Sequence, residues 1–350
     1  MTMMFDPISP TPNSLVVQSV NDAESRPMLA RDADSMFWMA RYVERAEHVA
    51  RLLRVHTALL TDVGDLTPLL EHQMWLTILS TMRAGKDFNT AAAETPHHEP
   101  ISQRIARYMT FDLDNPSSII SCVAKARENA RAIRESISSE MWECLNTIYW
   151  NVQADDSQQR FEDNPDDYFY SIMTNSMLFQ GLTNQTMAHD QRWCFTQVAK
   201  YFERIDVTSR VIETRFEVLS NMATQLDQPI RNIHLMGVLR SCCSLEAYRR
   251  LHLADLDATR IAQFLVLQKD YPRSIRFCVD GARDAIEGVR ISNGQRSPSA
   301  PERILGRLSS QLEYADINEI LAEGLTPFLH RIEENTGQAA MELQRAYFLY

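Results

Sequence analysis

The chain has 350 residues, 45% hydrophobic and 23% charged, with only 10 glycines and a formal net charge of -11. That length allows a large buried core in one big or two ordinary domains. The acidic balance argues against a general nucleic-acid or anionic-membrane binder, which presents a basic face.

Residues 1–27 carry Pro7, Pro10, Pro12 and Pro27 among polar residues, without a basic n-region or a long apolar run. This predicts a flexible tail and no secretory signal. No window reaches the roughly 18 apolar residues of a membrane span. Six cysteines, none in a Cys-x-x-Cys spacing, read as reduced thiols and not as a disulfide framework or zinc site. The expectation is a soluble cytoplasmic protein.

The first helix is expected from Asp34 or Ser35, either of which can cap it. Met36, Met39, Val43, Ala46, Ala50, Leu53 and Leu60 form its apolar stripe. Trp38, Tyr42, Arg45 and Val49 flank the stripe on one side, and Glu44, Glu47 and Arg51 on the other. Adjacent helical residues point about 100° apart, so Glu44 and Arg45 need partners elsewhere. Glu47–Arg51 and Asp206–Arg210 are i,i+4 pairs in the favourable order and read as surface pairs.

A loop at 64–68 leads to a second helix with Leu69, Leu70, Trp75, Leu76, Ile78, Leu79 and Met82 as core candidates. Residues 84–100 read as loop. His97 and His98 beside Glu94 and Glu99 lack the regular support a metal site needs. Asn115 as cap and Pro116 at N1 predict a helix running past Arg127, Arg131 and Arg134 towards Trp142 and Tyr149. An acidic loop at 154–167, a helix from Tyr168 to Met187 and a helix start at Thr186–Asp190 follow.

From there the chain repeats itself. Arg41-Tyr42-Val43-Glu44-Arg45-Ala46-Glu47 returns 159 residues later as Lys200-Tyr201-Phe202-Glu203-Arg204-Ile205-Asp206. Asn115-Pro116-x-Ser118-Ile119-x-x-Cys122 returns at an offset of 156 as Tyr271-Pro272-x-Ser274-Ile275-x-x-Cys278, with Cys122 and Cys278 read as small core hydrophobes. The three-residue difference falls in the soft stretch 91–100. After a break at 227–229, one helix is expected through His234, Leu235, Leu239 and Leu245 to Arg250, then the Pro272 helix. A linker at 292–301 precedes a helix through Leu305, Leu308 and Leu312. Asp316-x-x-Glu319 reads as a capping box, and Thr326-Pro327 opens the last helix.

No alternating strand pattern occurs, so the fold class is all-α: a multi-helix bundle of two duplicated helical halves with extra C-terminal helices. The expected division is 28–140 for the first half, 141–187 for a connecting segment, 188–296 for the second half and 297–350 for the C-terminal helices.

These motifs, with Ser35-Met36-Phe37-Trp38, Phe179-x-Gly181, Asp190-x-x-Trp193-x-Phe195, Glu246-Ala247-Tyr248-Arg249-Arg250 and Leu305-Gly306-Arg307-Leu308, resemble the bacterial alpha-E family over about residues 28–350. Ala40 and Ala199 depart from it, since members often carry Gly there. The resemblance implies an all-helical protein that works beside a circularly permuted ATP-grasp partner, often with a transglutaminase-like protein. ATP and Mg would come with that partner, and a peptide or amino acid would be the substrate. ATP-grasp enzymes activate a carboxylate as an acyl phosphate and pass it to an amine, so the family is associated with peptide or amide bond formation.

The residues themselves show no catalytic motif. There is no Gly-rich phosphate loop, no Gly-x-Ser-x-Gly elbow and no activated cysteine. A diiron site wants Glu-x-x-His on helices, and His48 lies one place too late after Glu44. The remaining candidates are Glu44 and Glu203 as catalytic carboxylates, with Tyr42, Arg45, Arg127, Tyr201, Arg204 and Arg283 as binding groups. They could be interhelical bridges that fix the register of the halves. Alternatively they line a cleft in which the arginines grip a carboxylate or phosphate and a Glu grips an amine or acts as base, or they form a protein-docking face.

Overall fold

The computed structural model describes residues 28–63, 68–93, 99–221, 228–253 and 255–348. The 1–27 tail, Glu94, His97 and His98 lie outside the described residues, and the side chains of Leu60, Leu69 and Leu70 lie outside what is described. No strand occurs among the described residues, and the all-α class holds.

The first eight helices are α1 (Ala30–Val63), α2 (Pro68–Thr81), α3 (Gly85–Ala93), α4 (Ile101–Phe111), α5 (Ile119–Ala132), α6 (Ser139–Gln153), α7 (Ser157–Asp163) and α8 (Pro165–Thr186). The next eight are α9 (Gln191–Asn221), α10 (Gln228–Ser241), α11 (Leu245–His252), α12 (Ala258–Leu267), α13 (Ile275–Ser292), α14 (Ala300–Glu313), α15 (Ile317–Glu323) and α16 (Leu325–Tyr347).

At the centre α1 packs on α9. Contacts of Arg45 with Glu203 and of His56 with Arg215 keep nearly one register, 158 and 159 residues apart, so the two helices run side by side in the same direction. The stripe predicted for α1 is buried, Met36, Met39, Ala50 and Leu53 wholly so, and on α9 Phe195, Val198, Phe202 and Ile205 are wholly buried. Helices α5 and α8 pack on α1 and are bridged by α6, and α13 and α16 pack on α9 and are bridged by α14.

Several predicted boundaries move, each for a local reason. The first helix begins at Ala30, ahead of Asp34. Residues 85–93 are helical where a loop was expected, because Phe88 is buried against Tyr108, ring centroids 5.2 Å apart. Ser118, not Asn115, caps α5 by accepting from Ser121 N, and Ser274 caps α13 by accepting from Phe277 N; Asn115 caps a turn through Ser117 N instead. The long helix expected from Pro116 to Tyr149 is interrupted: α5 ends at Ala132, Arg134–Ser136 forms a 3-10 turn, and Ser138 caps α6. The acidic loop contains α7, held by Phe161 among Phe111, Tyr168 and Phe169. The helix through His234 breaks at Cys243, whose φ of 56° is left-handed; Arg83 after α2 has φ 54° at the corresponding turn. In both turns a backbone N–H reaches back five residues, Ala84 to Leu79 O and Ser244 to Leu239 O, closing the helix C-terminus.

Candidate functional site

The charged residues of α1 and α9 meet at the middle of the helix pair. Glu203, 1% exposed, accepts from Arg45 Nε (2.7 Å) and Nη2 (2.9 Å) and from Arg41 Nε (2.7 Å). Arg41 Nη2 also donates to Asp206 (2.6 Å). Glu44, 2% exposed, accepts from Arg204 Nε (2.6 Å) and Nη2 (3.3 Å) and from Gln180 of α8 (3.3 Å). Each motif's Glu therefore takes the other motif's Arg, which resolves the partner question that adjacency on one helix left open.

A second guanidinium completes each half. Arg273, from the loop before α13, donates Nη2 to Glu47 (3.0 Å), sits 3.4 Å from Glu44, and gives Nη1 to His48 Nε2 (2.6 Å). On the other side Arg41 does this for Glu203 and Asp206. The residue in α9 that corresponds to Arg41 is Lys200, whose ammonium donates to Gln197 and lies 4.5 Å over the Tyr201 ring. Glu44, Glu47 and His48 present ligand atoms within 4.8 Å of one another, a spacing a metal ion could use, but the cation they hold is the Arg273 guanidinium.

Burial and pairing set the protonation states. Burial works to raise the carboxyls of Glu44, Glu47 and Glu203, yet the arginines outweigh it and hold all three below the usual range. Arg273 stays charged because the carboxylates of Glu47 and Glu44 overcome its desolvation. Burial, reinforced by Arg273, pushes His48 down to about 4, so it is a neutral acceptor. Burial, with Arg204 adding to it, lowers Lys200 to about 8.

Of the sequence candidates, Glu44, Arg45, Glu203 and Arg204 come together. Tyr42 and Tyr201 flank them as half-buried rings: Tyr42 packs on Trp38 at 5.5 Å, and Tyr201 lies against Gly281 and Phe277. Arg127 and Arg283 go elsewhere. Arg127 donates to Asn146 (2.6 Å) and stacks on Tyr149, while Arg283 donates to Ser309 and Asp284. Glu47–Arg51 is not a surface pair: both are buried, because Arg273 comes in beside Glu47. Asp206–Arg210 is likewise largely covered, and Arg210 spends Nη1 on Thr81 O (2.8 Å). Sequence reasoning missed Arg41, His48, Gln180 and Arg273. The signal for Arg273 was an arginine at an unmatched position of an otherwise matched repeat, where the first half has Ser117.

Further along the same helix pair lies a different polar cluster. Arg215, 2% exposed, donates Nη2 to His56 Nε2 (2.5 Å), and His56 Nδ1 donates to Leu52 O (2.6 Å). Burial alone lowers Arg215 to about 10. Burial, with Arg215, brings His234 to about 4. Among the described residues Arg215 has no ion pair with a carboxylate.

An all-helical core built around crossed Glu–Arg pairs defines a helical Glu–Arg module. The chain belongs to the Alpha-E family, described as a predicted alpha-helical domain with a conserved ER motif, whose model matches residues 28–348. It is similar to uncharacterized proteins of Mycobacterium bovis and Mycobacterium tuberculosis, each 24% identical over 321 residues. The match takes in 87% of this chain but 34% of each relative, so the chain spans about a third of their length. No solved structure matches. No described helix is long and apolar enough to cross a membrane.

Proposed function

We propose that this chain is the helical component of a bacterial ATP-dependent peptide or amide ligase system, giving scaffold or acceptor-substrate site to an ATP-grasp partner. ATP and Mg come with that partner, a transglutaminase-like protein is a further partner, and the assembly works in the cytoplasm. The carrying observation is that Glu44 and Glu203, the only carboxylates the sequence nominated for catalysis, are buried and already engaged by arginines. A carboxylate so held is a poor base and a poor nucleophile, so the activating chemistry belongs on another chain or segment. The relatives, whose length is about two-thirds outside the match, leave room for such a segment. We further read the chain as a duplication of one eight-helix unit, α1–α8 and α9–α16, a division supported by the matching order and packing of the helices.

Mild-salt purification from native cells with mass spectrometry, followed by ADP release with and without the co-purifying protein, tests this. Turnover only with both parts supports the reading, and turnover by the pure chain sinks it. The second reading, a self-contained small-molecule or peptide binder, is favoured by a cleft of about 370 Å³ where Arg51, Arg54, Arg240 and Cys243 meet Asp166 and Glu246. Arg204→Ala separates the two roles. Lost folding stability marks a bridge, whereas unchanged melting with lost binding marks a ligand group.

A further inference from the structure

Four arginines are buried among the described residues, and three of them meet carboxylates: Arg41 pairs with Glu203 and Asp206, Arg51 with Glu47, and Arg273 with Glu47 and Glu44. Arg215, the most buried at 2% exposed, is the exception. Its Nη2 donates to the neutral His56 ring, and its Nη1 has no hydrogen-bond partner. With a value of about 10, lowered by burial alone, it is still a cation at neutral pH. A charge enclosed in this way is costly unless an ion of opposite sign stands beside it.

The groups around Arg215 are short of acceptors. His234 of α10 is 1% exposed and neither ring nitrogen has a partner; Trp75 of α2, its ring 5.9 Å from that of His56, is 3% exposed and its Nε1 is unpaired. A neutral imidazole keeps one N–H and an indole is a donor only, so together with Arg215 Nη1 three donors lack an acceptor. The sequence register brings the four side chains to one place: Arg215 follows His56 by 159 residues, and the same interval separates His234 from Trp75. Gly237, one turn beyond His234, lets α10 close on α1, since a Cβ there would lie 2.7 Å from Leu59 Cδ1. A divalent metal suits this cluster badly, because the guanidinium repels a second cation and Trp75 offers it no lone pair. Water would supply lone pairs and leave the charge unmatched.

We propose that Arg215, His234 and Trp75 hold a small monovalent anion, a halide or a formate-sized carboxylate, in the core between α1, α2, α9 and α10. The anion accepts from Arg215 Nη1, from the His234 N–H and from the Trp75 indole, and it neutralises the one buried guanidinium that meets no carboxylate. Because His56, Trp75, Arg215 and His234 are each no more than 3% exposed, the enclosure selects a small ion over a nucleotide or a peptide. The site owes nothing to the ligase reading and stands or falls apart from it.

The test is urea unfolding of the full chain in chloride-free buffer containing sodium gluconate, which is then exchanged for chloride, bromide or formate at constant ionic strength. The parent's midpoint should rise saturably with the small anion, the folded-to-unfolded ratio gaining about 100-fold at a hundred times Kd. Arg215→Met should unfold near the parent in gluconate and lose the response to chloride. Arg260→Met, at an exposed pair with Asp255, should keep it. Should Arg215→Met not fold, His234→Phe takes its place and should raise the Kd about 10-fold. A larger response to formate than to chloride marks a carboxylate, and the reverse marks a halide. In a bromide-soaked crystal the anomalous peak should stand beside Arg215 Nη1. A midpoint indifferent to the exchange, a response that Arg215→Met retains, or, where that variant does not fold, a Kd that His234→Phe leaves unchanged overturns the proposal.

Discussion

Two buried polar clusters on the same helix pair handle charge in opposite ways. Midway along α1 and α9, Glu44, Arg45, Glu203 and Arg204 form crossed ion pairs in which each guanidinium meets a carboxylate. Nearer the C-terminal ends, Arg215 meets the neutral imidazole of His56 with His234 nearby. Both clusters join residues at one register of the parallel helices, 158 to 160 residues apart. Where two like residues face each other across parallel helices, Glu-Arg against Glu-Arg can cross-pair. Arginine against arginine cannot, and His56 stands where a second arginine would repel Arg215. The lesson is that facing Glu-Arg motifs on parallel helices are self-complementary, whereas facing arginines are not.

The comparison is broken most forcefully by removing one charge from each cluster. Glu203→Gln leaves Arg45 buried without its anion and Arg41 with Asp206 alone, and should cost about 3–5 kcal/mol in urea unfolding. Arg215→Met removes a buried cation that has no carboxylate and should lie within ~1 kcal/mol of the parent, or stabilise it. Equal losses for the two would mean that the clusters do not differ in the way described.

Acid should sharpen the contrast next. His48 and His234 have folded values near 4 against about 6.5 unfolded. Their contribution is therefore full above pH 6.5 and is lost as pH falls towards 4, on the order of 2–3 kcal/mol each. Glu44, Glu47 and Glu203 are depressed carboxyls, so their contribution persists until pH drops below the ordinary carboxyl range. Denaturant midpoints measured from pH 7.5 to 4 should fall first through the histidine window, and His234→Phe should flatten that part of the curve.

Packing around the two tyrosines gives a smaller effect. A Cβ at Gly281 would lie 2.6 Å from the Tyr201 ring, so Gly281→Ala should cost about 1–3 kcal/mol. In the first half that position is Lys125, whose ammonium stands 5.6 Å over the Tyr42 ring, and Lys125→Ala should cost about 0.5–1 kcal/mol. The smallest expected change is a gain. Cys243 holds φ 56° without the freedom of glycine, and Cys243→Gly should raise stability by about 0.5–1 kcal/mol. Arg83→Gly should gain less, because it also gives up the contact with Glu333.

What could be read from the sequence follows from how local the cause is. The stripe from Met36 to Leu53 and the pairing problem of Glu44 and Arg45 are properties of one helix, so periodicity and the repeat were enough to find them. The burial of Glu47 and Arg51 depends on Arg273, more than two hundred residues away, and no helix-surface rule could supply it. Helices α3 and α7 were missed because each is short and polar and exists by virtue of one buried ring, Phe88 or Phe161. The break at Cys243 was missed because no glycine marks the turn. Arg127 and Arg283 matched in the repeat, but their side chains follow α6 and α14, whose placement the repeat motifs did not specify.

The register of α1 against α9 also sets a timetable for synthesis. Glu44 finds its arginines 160 and 229 residues downstream, and at roughly 5–20 residues per second the ribosome needs about ten seconds or more to deliver them. Through that interval Glu44 is without Arg204 and Arg273, and Arg41 and Arg45 are without Glu203. A nascent chain in this condition is open to chaperones, and the second half closes the fold only when α9 and the loop before α13 have both emerged.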